Sequence, residues 1–418
     1  MFGVETPKFN NPYEDSDQRP MPLSISEEFP IAEKFSYLNT AGAGLIPRST
    51  IESVCTLYRR FLSELPFPDL LEEFGEDVEK SRGIFARWVG AREEEVSFQS
   101  NASTSLNYVA SMVAPKRGEN VVVDDLGFPS GTFPMMSLQK KGVEVRWVKN
   151  RDGLIRAEDY EMAVDDKTRL VIVSLVSWVN GLRAEVEEIT KIAHEKGALC
   201  MVDSTHGTGY IDIDVGSWKT DFLATSNYKW LLSTHGASEF FCARGLLEEF
   251  DPPQLGWHSA PGGTRGLSAE DLEIAKTARR FEPGNPDYIS IYTLSRSLGF
   301  MSRVGRRRIT TQTLKLSAMV NDGLRRLGLN VLSPADGAHL SGITFAYAEK
   351  ITGEQLALRL RKSGIVVTPR SYHGHSGIRV SPYFYNEERD VEDFLGGVRK
   401  ILRTAGAVKA TDRVPVQT

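Results

Sequence analysis

The sequence predicts an α/β fold in which a largely parallel sheet lies between layers of helices. Short apolar runs alternate with amphipathic helical segments along most of the chain. The run Ala198–Asp203 is almost wholly apolar, as expected for a central strand that is buried on both faces. The chain has 418 residues, which is too many for one simple core, so we expect a large domain and a smaller one.

Seven segments have the length and composition of strands in the large sheet. They are Glu95–Phe98, Val121–Asp124, Val143–Val148, Leu170–Leu175, Ala198–Asp203, Phe222–Thr225 and Glu239–Ala243. Helical segments separate several of them. One is Val186–Lys196, followed by Gly197 in the position that often ends a helix. Strand, helix and strand in this order predict a mostly parallel, seven-stranded sheet.

The last third of the chain has a different pattern. A long helical stretch from about 289 to 327, with interruptions predicted near Gly299 and Gly305, leads to a mixed α+β region. Strands are predicted there near Gly342–Tyr347 and Arg379–Ser381. We therefore expect an N-terminal arm at 1–34, a large domain at 35–305, a small C-terminal domain at 306–403 and a tail at 404–418.

Composition favours a small-molecule partner. The formal net charge is −5, from 50 basic and 55 acidic residues without a long basic run, which argues against nucleic acid and anionic membranes as partners. No apolar stretch is long enough to span a bilayer, and the polar start lacks the order of a secretory signal. Three widely spaced cysteines, Cys55, Cys200 and Cys242, form neither a disulfide framework nor a metal site. A cytoplasmic location without a metal is the expectation.

Two neighbouring strands are predicted to carry a carboxylate and a lysine to the same edge of the sheet, where ligands of such folds bind. Asp203 ends one strand, and Lys229 follows the next, between Tyr228 and Trp230. Pyridoxal phosphate needs this pair, a lysine for a Schiff base and a carboxylate beside the pyridine nitrogen. Taken alone, the aspartate is more simply interpreted as a helix cap and the lysine as a solvated side chain. Aromatic neighbours favour the reactive neutral amine.

The run from Val171 to Gly236 resembles the class V aminotransferase branch of the fold type I pyridoxal-phosphate enzymes. The resemblance extends over most of the chain, from Tyr37 to Asn386. This branch includes cysteine desulfurases, selenocysteine lyases, kynureninases and isopenicillin N epimerase. The resemblance implies pyridoxal 5'-phosphate as cofactor, an amino-acid substrate, and catalytic roles for Lys229, Asp203 and His206.

Phosphate binding is expected where a strand leads into the apolar helix 106–113, because a helix N-terminus attracts anions. An ordinary Ser/Thr helix cap explains the same residues equally well. The resemblance assigns phosphate contacts to Ala102, Ser103, Thr104, Ser226 and Tyr228.

The resemblance also implies contacts to the cofactor ring. Phe128, in a Phe-Pro-Ser triplet similar to that of kynureninases, is expected to stack on the ring, although a core role is the alternative. His206 is expected near the ring hydroxyl, where relatives carry Gln or His. Ser177 and Trp178 match the loop beside that hydroxyl, with Trp178 replacing a common family Asn.

Two further motifs complete the resemblance. Asn285 lies in a Phe-Glu-Pro-Gly-Asn-Pro segment that matches a loop reaching the phosphate of the neighbouring subunit, which implies a homodimer with shared active sites. Arg379, in Gly-Ile-Arg-Val-Ser, matches the arginine that binds the substrate α-carboxylate.

The reaction type stays open at this point. The segment 366–375 contains no cysteine, so cysteine desulfurase chemistry is disfavoured. A lyase that cleaves C–S or C–C bonds is slightly favoured, with a transaminase or an isopenicillin N epimerase-like epimerase as the alternative. A non-catalytic binding protein of the same fold is the second alternative. Arg370, His373, His375 and His258 are candidates for substrate contacts or ordinary loop residues.

Overall fold

The structure is a computed structural model that describes residues 25–64, 66–261 and 272–405. The α-helices in these ranges are α1 (Ile25–Glu28), α2 (Arg48–Ser63), α3 (Phe67–Val89), α4 (Ala102–Val113), α5 (Pro129–Leu138), α6 (Ala157–Glu161), α7 (Val186–Glu195), α8 (Val215–Trp218), α9 (Tyr288–Val304), α10 (Arg306–Arg326), α11 (Gly353–Lys362) and α12 (Glu388–Ala405). The strands are β1 (Ser36–Tyr37), β2 (Val96–Gln99), β3 (Asn120–Asp124), β4 (Glu144–Val148), β5 (Thr168–Ser174), β6 (Leu199–Asp203), β7 (Phe222–Ser226), β8 (Ser238–Cys242), β9 (Asn330–Val331), β10 (Thr344–Tyr347), β11 (Ile365–Val366), β12 (Thr368–Tyr372) and β13 (His375–Val380). Most of the predicted arm and tail falls outside the described residues.

A seven-stranded sheet organises the large domain. Its strand order is β2-β8-β7-β6-β5-β3-β4, and β8 runs in the opposite direction to the other six strands. All seven predicted strands are present, with ends that differ from the prediction by at most two residues. The predicted α/β fold with a mostly parallel sheet is confirmed.

Both faces of this sheet are covered by apolar cores. Alternate residues of β3 point to opposite sides, so that Val122 packs in one core while Val121 and Val123 pack in the other. A strand buried on both sides must be apolar at every position, which explains the continuous hydrophobic runs in the sequence.

The C-terminal region contains a four-stranded antiparallel sheet of order β12-β13-β10-β9, with its own core against α10, α11 and α12. Strand β1 pairs in parallel with β11 of this region, and Leu38 packs in the same core. The chain after the predicted arm therefore contacts the C-terminal region before it enters the large sheet. The proposed domain limits stay a prediction.

The helix interruption predicted at Gly299 is wrong, because α9 continues through that residue. A glycine inside a helix costs only about 1 kcal/mol, and the flanking Leu298, Phe300 and Met301 are all buried, so packing outweighs the local preference. The interruption predicted at Gly305 is present. That residue has a φ of 91° and separates α9 from α10. Among the described residues, no helix combines the length and apolar composition needed to cross a bilayer.

Candidate active site

The two predicted strand ends meet at one edge of the sheet. Asp203 of β6 is paired in register with Ala224 of β7, and Lys229 follows β7 by three residues. Both side chains are only 7% exposed. The carboxylate acts electrostatically on the amine and favours its charged form. The structure therefore brings the carboxylate and the lysine together, as the sequence predicted.

The Lys229 amine lies among aromatic groups. Its Nζ is 3.2 Å from Nε2 of His206, 5.6 Å from the centre of the Phe128 ring and 5.4 Å from that of Tyr228. Burial lowers the pKa of Lys229 to about 7, against the opposing effect of Asp203. A substantial fraction of the amine is therefore neutral near neutral pH, and the neutral form is the nucleophile.

His206 is held in its uncharged form. Burial, and then the positive charges of Lys229, Arg379 and Arg370, lower the pKa of His206 well below its usual value. Its Nδ1 is buried and has no hydrogen-bond partner within the part of the chain that the structure describes. This nitrogen is thus available to a group that is not part of the chain.

Close backbone contacts fix the lysine loop. The amide of Gly44 donates to the carbonyl of Tyr228 at 2.8 Å, and a Cβ on Gly44 would lie 1.9 Å from the Lys229 oxygen. Leu232, three residues further on, has a φ of 55°, which is costly for a leucine. Gly44 is not among the site residues predicted above, although the run Thr40-Ala-Gly-Ala-Gly44 is a sequence signal of close backbone approach.

The start of α4 has the features of an anion site. Asn101 caps the helix by accepting from the Thr104 amide at 3.0 Å, while the amides of Ala102 and Ser103 have no acceptor within the helix. The Ser103 hydroxyl donates to Ser130 at 2.7 Å. Ala102 and Ser103 therefore fit the predicted phosphate role better than Thr104, whose amide is already bonded.

Phe128 presents a free ring face to the site. It is 37% exposed and packs edge-on against Trp178, with ring centres 5.4 Å apart. The Trp178 indole donates to the Gly127 carbonyl at 3.2 Å, and the Ser177 hydroxyl donates to that of Leu126 at 3.2 Å. These two bonds hold Ser177 and Trp178 against the segment 126–127.

The predicted carboxylate-binding arginine faces the same site. One Nη of Arg379 donates to the Trp178 carbonyl at 2.8 Å, and its Nε is buried without a partner among the described residues. Burial and the nearby charge of Arg370 lower the pKa of Arg379 to about 9.

Two predicted phosphate residues precede the lysine, and they are more enclosed than the predicted residue Asn285. Ser226 is buried, and Tyr228 stacks on His235 with ring centres 3.9 Å apart. Asn285, by contrast, is exposed, and it accepts a hydrogen bond from the Tyr288 hydroxyl at 3.3 Å. Within the described ranges, Asn285 has no hydrogen bond to Lys229 or His206.

The residues present fit pyridoxal phosphate. A lysine of lowered pKa, a buried carboxylate, an aromatic ring with a free face and the orphan amides of α4 match the aldehyde, pyridine nitrogen, ring and phosphate of that molecule. In the ranges that the structure covers, no cluster of three or more His, Cys, Asp or Glu side chains could hold a metal ion.

Comparison with known proteins gives a consistent result. The model of a family described as aminotransferase class V matches residues 36–394. A probable cysteine desulfurase of Pyrococcus abyssi is 26% identical over 92% of this chain and 98% of its own length. The isopenicillin N epimerase of Streptomyces clavuligerus is 28% identical over 85% of this chain and 92% of its own length. The apo structure of a cysteine desulfurase from Thermococcus onnurineus superposes with a TM-score of 0.83 at 25% identity, covering 92% of this chain and 99% of that one.

Proposed function

We propose that this chain, which belongs to the class V aminotransferase family of pyridoxal-phosphate enzymes, holds the cofactor as a Schiff base on Lys229. In this proposal it acts at Cα of an L-amino acid. The observation that carries the proposal is the buried Lys229 amine, whose pKa is lowered to about 7 beside His206 and within the field of Asp203. A lysine in such surroundings is a nucleophile poised near neutral pH.

Asp203, Phe128 and Lys229 have separate roles in the proposed reaction. Bound pyridoxal phosphate supplies an electron sink for the bonds at Cα. Asp203 would stabilise the protonated pyridine nitrogen, and Phe128 would pack on the ring. The amine of Lys229 would move the proton at Cα of the substrate.

Arg379 is proposed to bind the substrate α-carboxylate. Its planar guanidinium suits bidentate pairing, and its buried Nε has no partner in the described part of the chain. The bond from its Nη to the Trp178 carbonyl fixes the side chain before substrate binds, which reduces the entropy lost on binding.

We favour a lyase that cleaves a C–S or C–C bond, with transamination or epimerisation as the alternative. The relatives carry different names, since desulfurase and epimerase both occur among them. The names of the desulfurase relatives count against the expectation that cysteine desulfurase chemistry is disfavoured. The positions of the cysteines support that expectation. Cys200 and Cys242 are buried in strands, and Cys55 lies in α2. Burial raises the pKa of both buried thiols, that of Cys200 to about 12. The hairpin that carries Arg379, residues 368–380, contains no cysteine.

A homodimer with shared sites and a cytoplasmic location stay predictions. The exposed position of Asn285 supports the dimer, because a residue that completes a neighbouring site has to lie on the surface of its own chain. Sedimentation velocity of the cofactor-loaded protein tests it, with a monomer as the contradicting result.

Borohydride reduction of the cofactor-loaded protein, followed by peptide mapping, tests the role of Lys229. Label should appear on Lys229, and Lys229→Ala should abolish both labelling and turnover. Lys149→Ala is the matched control, since Lys149 is exposed but also lies over an aromatic ring, that of Trp147 at 4.9 Å. Label on another lysine, or normal turnover by Lys229→Ala, would contradict the proposal.

An amino-acid panel identifies the reaction type. Release of keto acid and ammonia indicates elimination, formation of pyridoxamine phosphate indicates transamination, and solvent deuterium at Cα without either product indicates epimerisation. The lyase preference fails if pyridoxamine phosphate or deuterium uptake alone is found.

A further inference from the structure

Strands β12 and β13 form an antiparallel hairpin that carries two arginines on one face. Thr368 lies directly opposite Arg379, and Arg370 lies opposite Gly377. Side chains alternate along a strand, so Arg370 shares the face of Thr368 and hence that of Arg379. The two arginines are therefore diagonal neighbours, with backbones roughly 7–8 Å apart.

This face of the hairpin is turned towards the candidate active site. Tyr372, on the same face, accepts a hydrogen bond from the Asn150 amide at 2.7 Å, and Arg379 donates to the Trp178 carbonyl. The guanidinium carbon of Arg370 lies 5.8 Å from the centre of the Trp178 ring, where a cation–π contact limits its freedom.

Neither arginine has a carboxylate partner among the described residues. Arg370 donates one Nη to the carbonyl of its neighbour Pro369 at 3.1 Å, and its buried Nε is without a partner there, as is that of Arg379. Both positive charges also act on Lys229 and His206, so the two guanidiniums face one shared space. The buried cation of Arg379 and the partly buried cation of Arg370 repel each other, and each remains short of hydrogen-bond acceptors.

The proposed function accounts for one of these cations only. Arg379 takes the α-carboxylate, and the cofactor phosphate has its own donors at the start of α4. Arg370 is left with a fixed, partly buried guanidinium beside the position of the substrate. A second anion within a few carbon–carbon bonds of the first would satisfy it.

We propose that Arg370 binds an anionic group on the substrate side chain, and that the substrate is an amino acid with an acidic side chain. This assignment rests on the proposed function, since it takes the α-carboxylate to be bound by Arg379. The shared chemistry is an oxyanion, which a side-chain carboxylate or a sulfinate supplies.

Titration of the cofactor-loaded protein with matched amino acids tests the assignment, with the change in cofactor absorption as the readout. The pairs are L-glutamate with L-glutamine and L-aspartate with L-asparagine, which differ in charge far more than in size. We expect the acidic member of at least one pair to bind about tenfold more tightly. L-cysteine sulfinate, compared with L-aspartate, shows whether a sulfur or a carbon oxyanion binds better, and tight binding of either supports the assignment.

Arg370→Gln should remove the preference for the acidic member and leave binding of the amide member within about threefold. Arg389→Gln is the matched control, because Arg389 is an exposed arginine of the same C-terminal region. Cofactor content equal to that of the wild type shows that the variant is folded.

Two results would overturn the assignment. One is equal binding of both members of each pair by the wild-type protein, a result that requires no variant. The other is an equal loss for acid and amide in Arg370→Gln, which would mean that both arginines bind the α-carboxylate. Either result leaves the borohydride label on Lys229 intact, whereas absence of that label defeats the proposed function itself and this assignment with it.

Discussion

The guanidinium of Arg82 and those of the hairpin arginines, Arg370 and Arg379, differ in whether the described residues supply a carboxylate partner. Arg82, in α3, donates to Glu282 at 2.8 Å and to the Val96 carbonyl at 2.6 Å, and it also pairs with Glu79 at 3.2 Å. Burial lowers its pKa, but the facing carboxylates outweigh this and the net pKa is raised. Arg379 is equally buried but has no carboxylate partner among the residues that the structure describes, and its pKa is lowered to about 9.

The difference separates two roles of buried charge. A guanidinium that stabilises the fold has its counter-ion supplied by the chain, so both charges are paired as soon as the protein folds. A guanidinium that binds a ligand has its counter-ion supplied from outside, so the unliganded site carries a cost that binding relieves. The hairpin arginines fit the second description.

Arg82→Met is the change with the largest expected effect. It leaves Glu282 buried without its cation, which should lower the free energy of unfolding by about 3–5 kcal/mol in denaturant titrations of the loaded protein. Arg279→Met is the matched control, because Arg279 also pairs with Glu79 but is half exposed, and it should cost less than about 1 kcal/mol. The double variant Arg82→Met/Glu282→Gln should recover part of the loss. A loss no greater than that of the control would contradict the structural role.

Arg379→Gln should lower activity without lowering the free energy of unfolding. We expect kcat/KM on the substrate found in the panel to fall by about 10²–10³-fold, since a buried pair with the α-carboxylate is lost. The free energy of unfolding should stay the same or rise, because the variant removes an unpaired charge next to Arg370. Steady-state kinetics and denaturant titration on the same preparations measure both. A variant that loses stability like Arg82→Met would erase the distinction between the two regions.

Glu239 extends the comparison to a buried acid. It is fully buried in β8, has no ion pair with any described residue, and burial raises its pKa to about 8. An unfolded glutamate has a pKa of about 4.3, so the folded protein binds more protons between these values, and stability is lost as pH rises from about 4 to 8. Glu239→Gln should reduce this loss by about 3–4 kcal/mol, measured by denaturant titration at pH 5 and pH 8. An unchanged pH dependence would mean that the carboxyl finds a partner on ionisation.

The sequence predicted the large sheet closely because buried parallel strands have to be apolar along their whole length. The same reasoning placed Asp203 and Lys229 at one edge, since parallel strands end together. It could not predict the contact between Lys229 and His206, which depends on how two loops pack. The roles of Ser177, Trp178 and Asn285 came from resemblance alone and stay predictions.

The hairpin shows where sequence reasoning failed and what it missed. Within this hairpin the sequence predicts a strand only at 379–381, because Pro369 and Gly374 favour a loop before it. Pairing in the structure is set by long-range contacts instead, including that of β10 with β13. With β12 recognised, strand alternation alone would have placed Arg370 on the face of Arg379.

The smallest predicted effect concerns the reaction of Lys229 with the cofactor. In the apo protein, the rate of Schiff-base formation should rise with pH until about 7 and then level off, because only the neutral amine reacts. The positive charge of Arg370 contributes to the lowered pKa of Lys229, so Arg370→Gln should move this profile to higher pH and slow the reaction about threefold at pH 7. Arg379→Gln should move it further, since Arg379 has the larger effect, while Arg389→Gln should leave it unchanged. The two hairpin variants should match the wild-type rate near pH 10, where the amine is neutral in all of them. A profile that does not move in either would mean that the guanidiniums lie too far from the amine to share its site, and the charges of the hairpin would then need a different ligand.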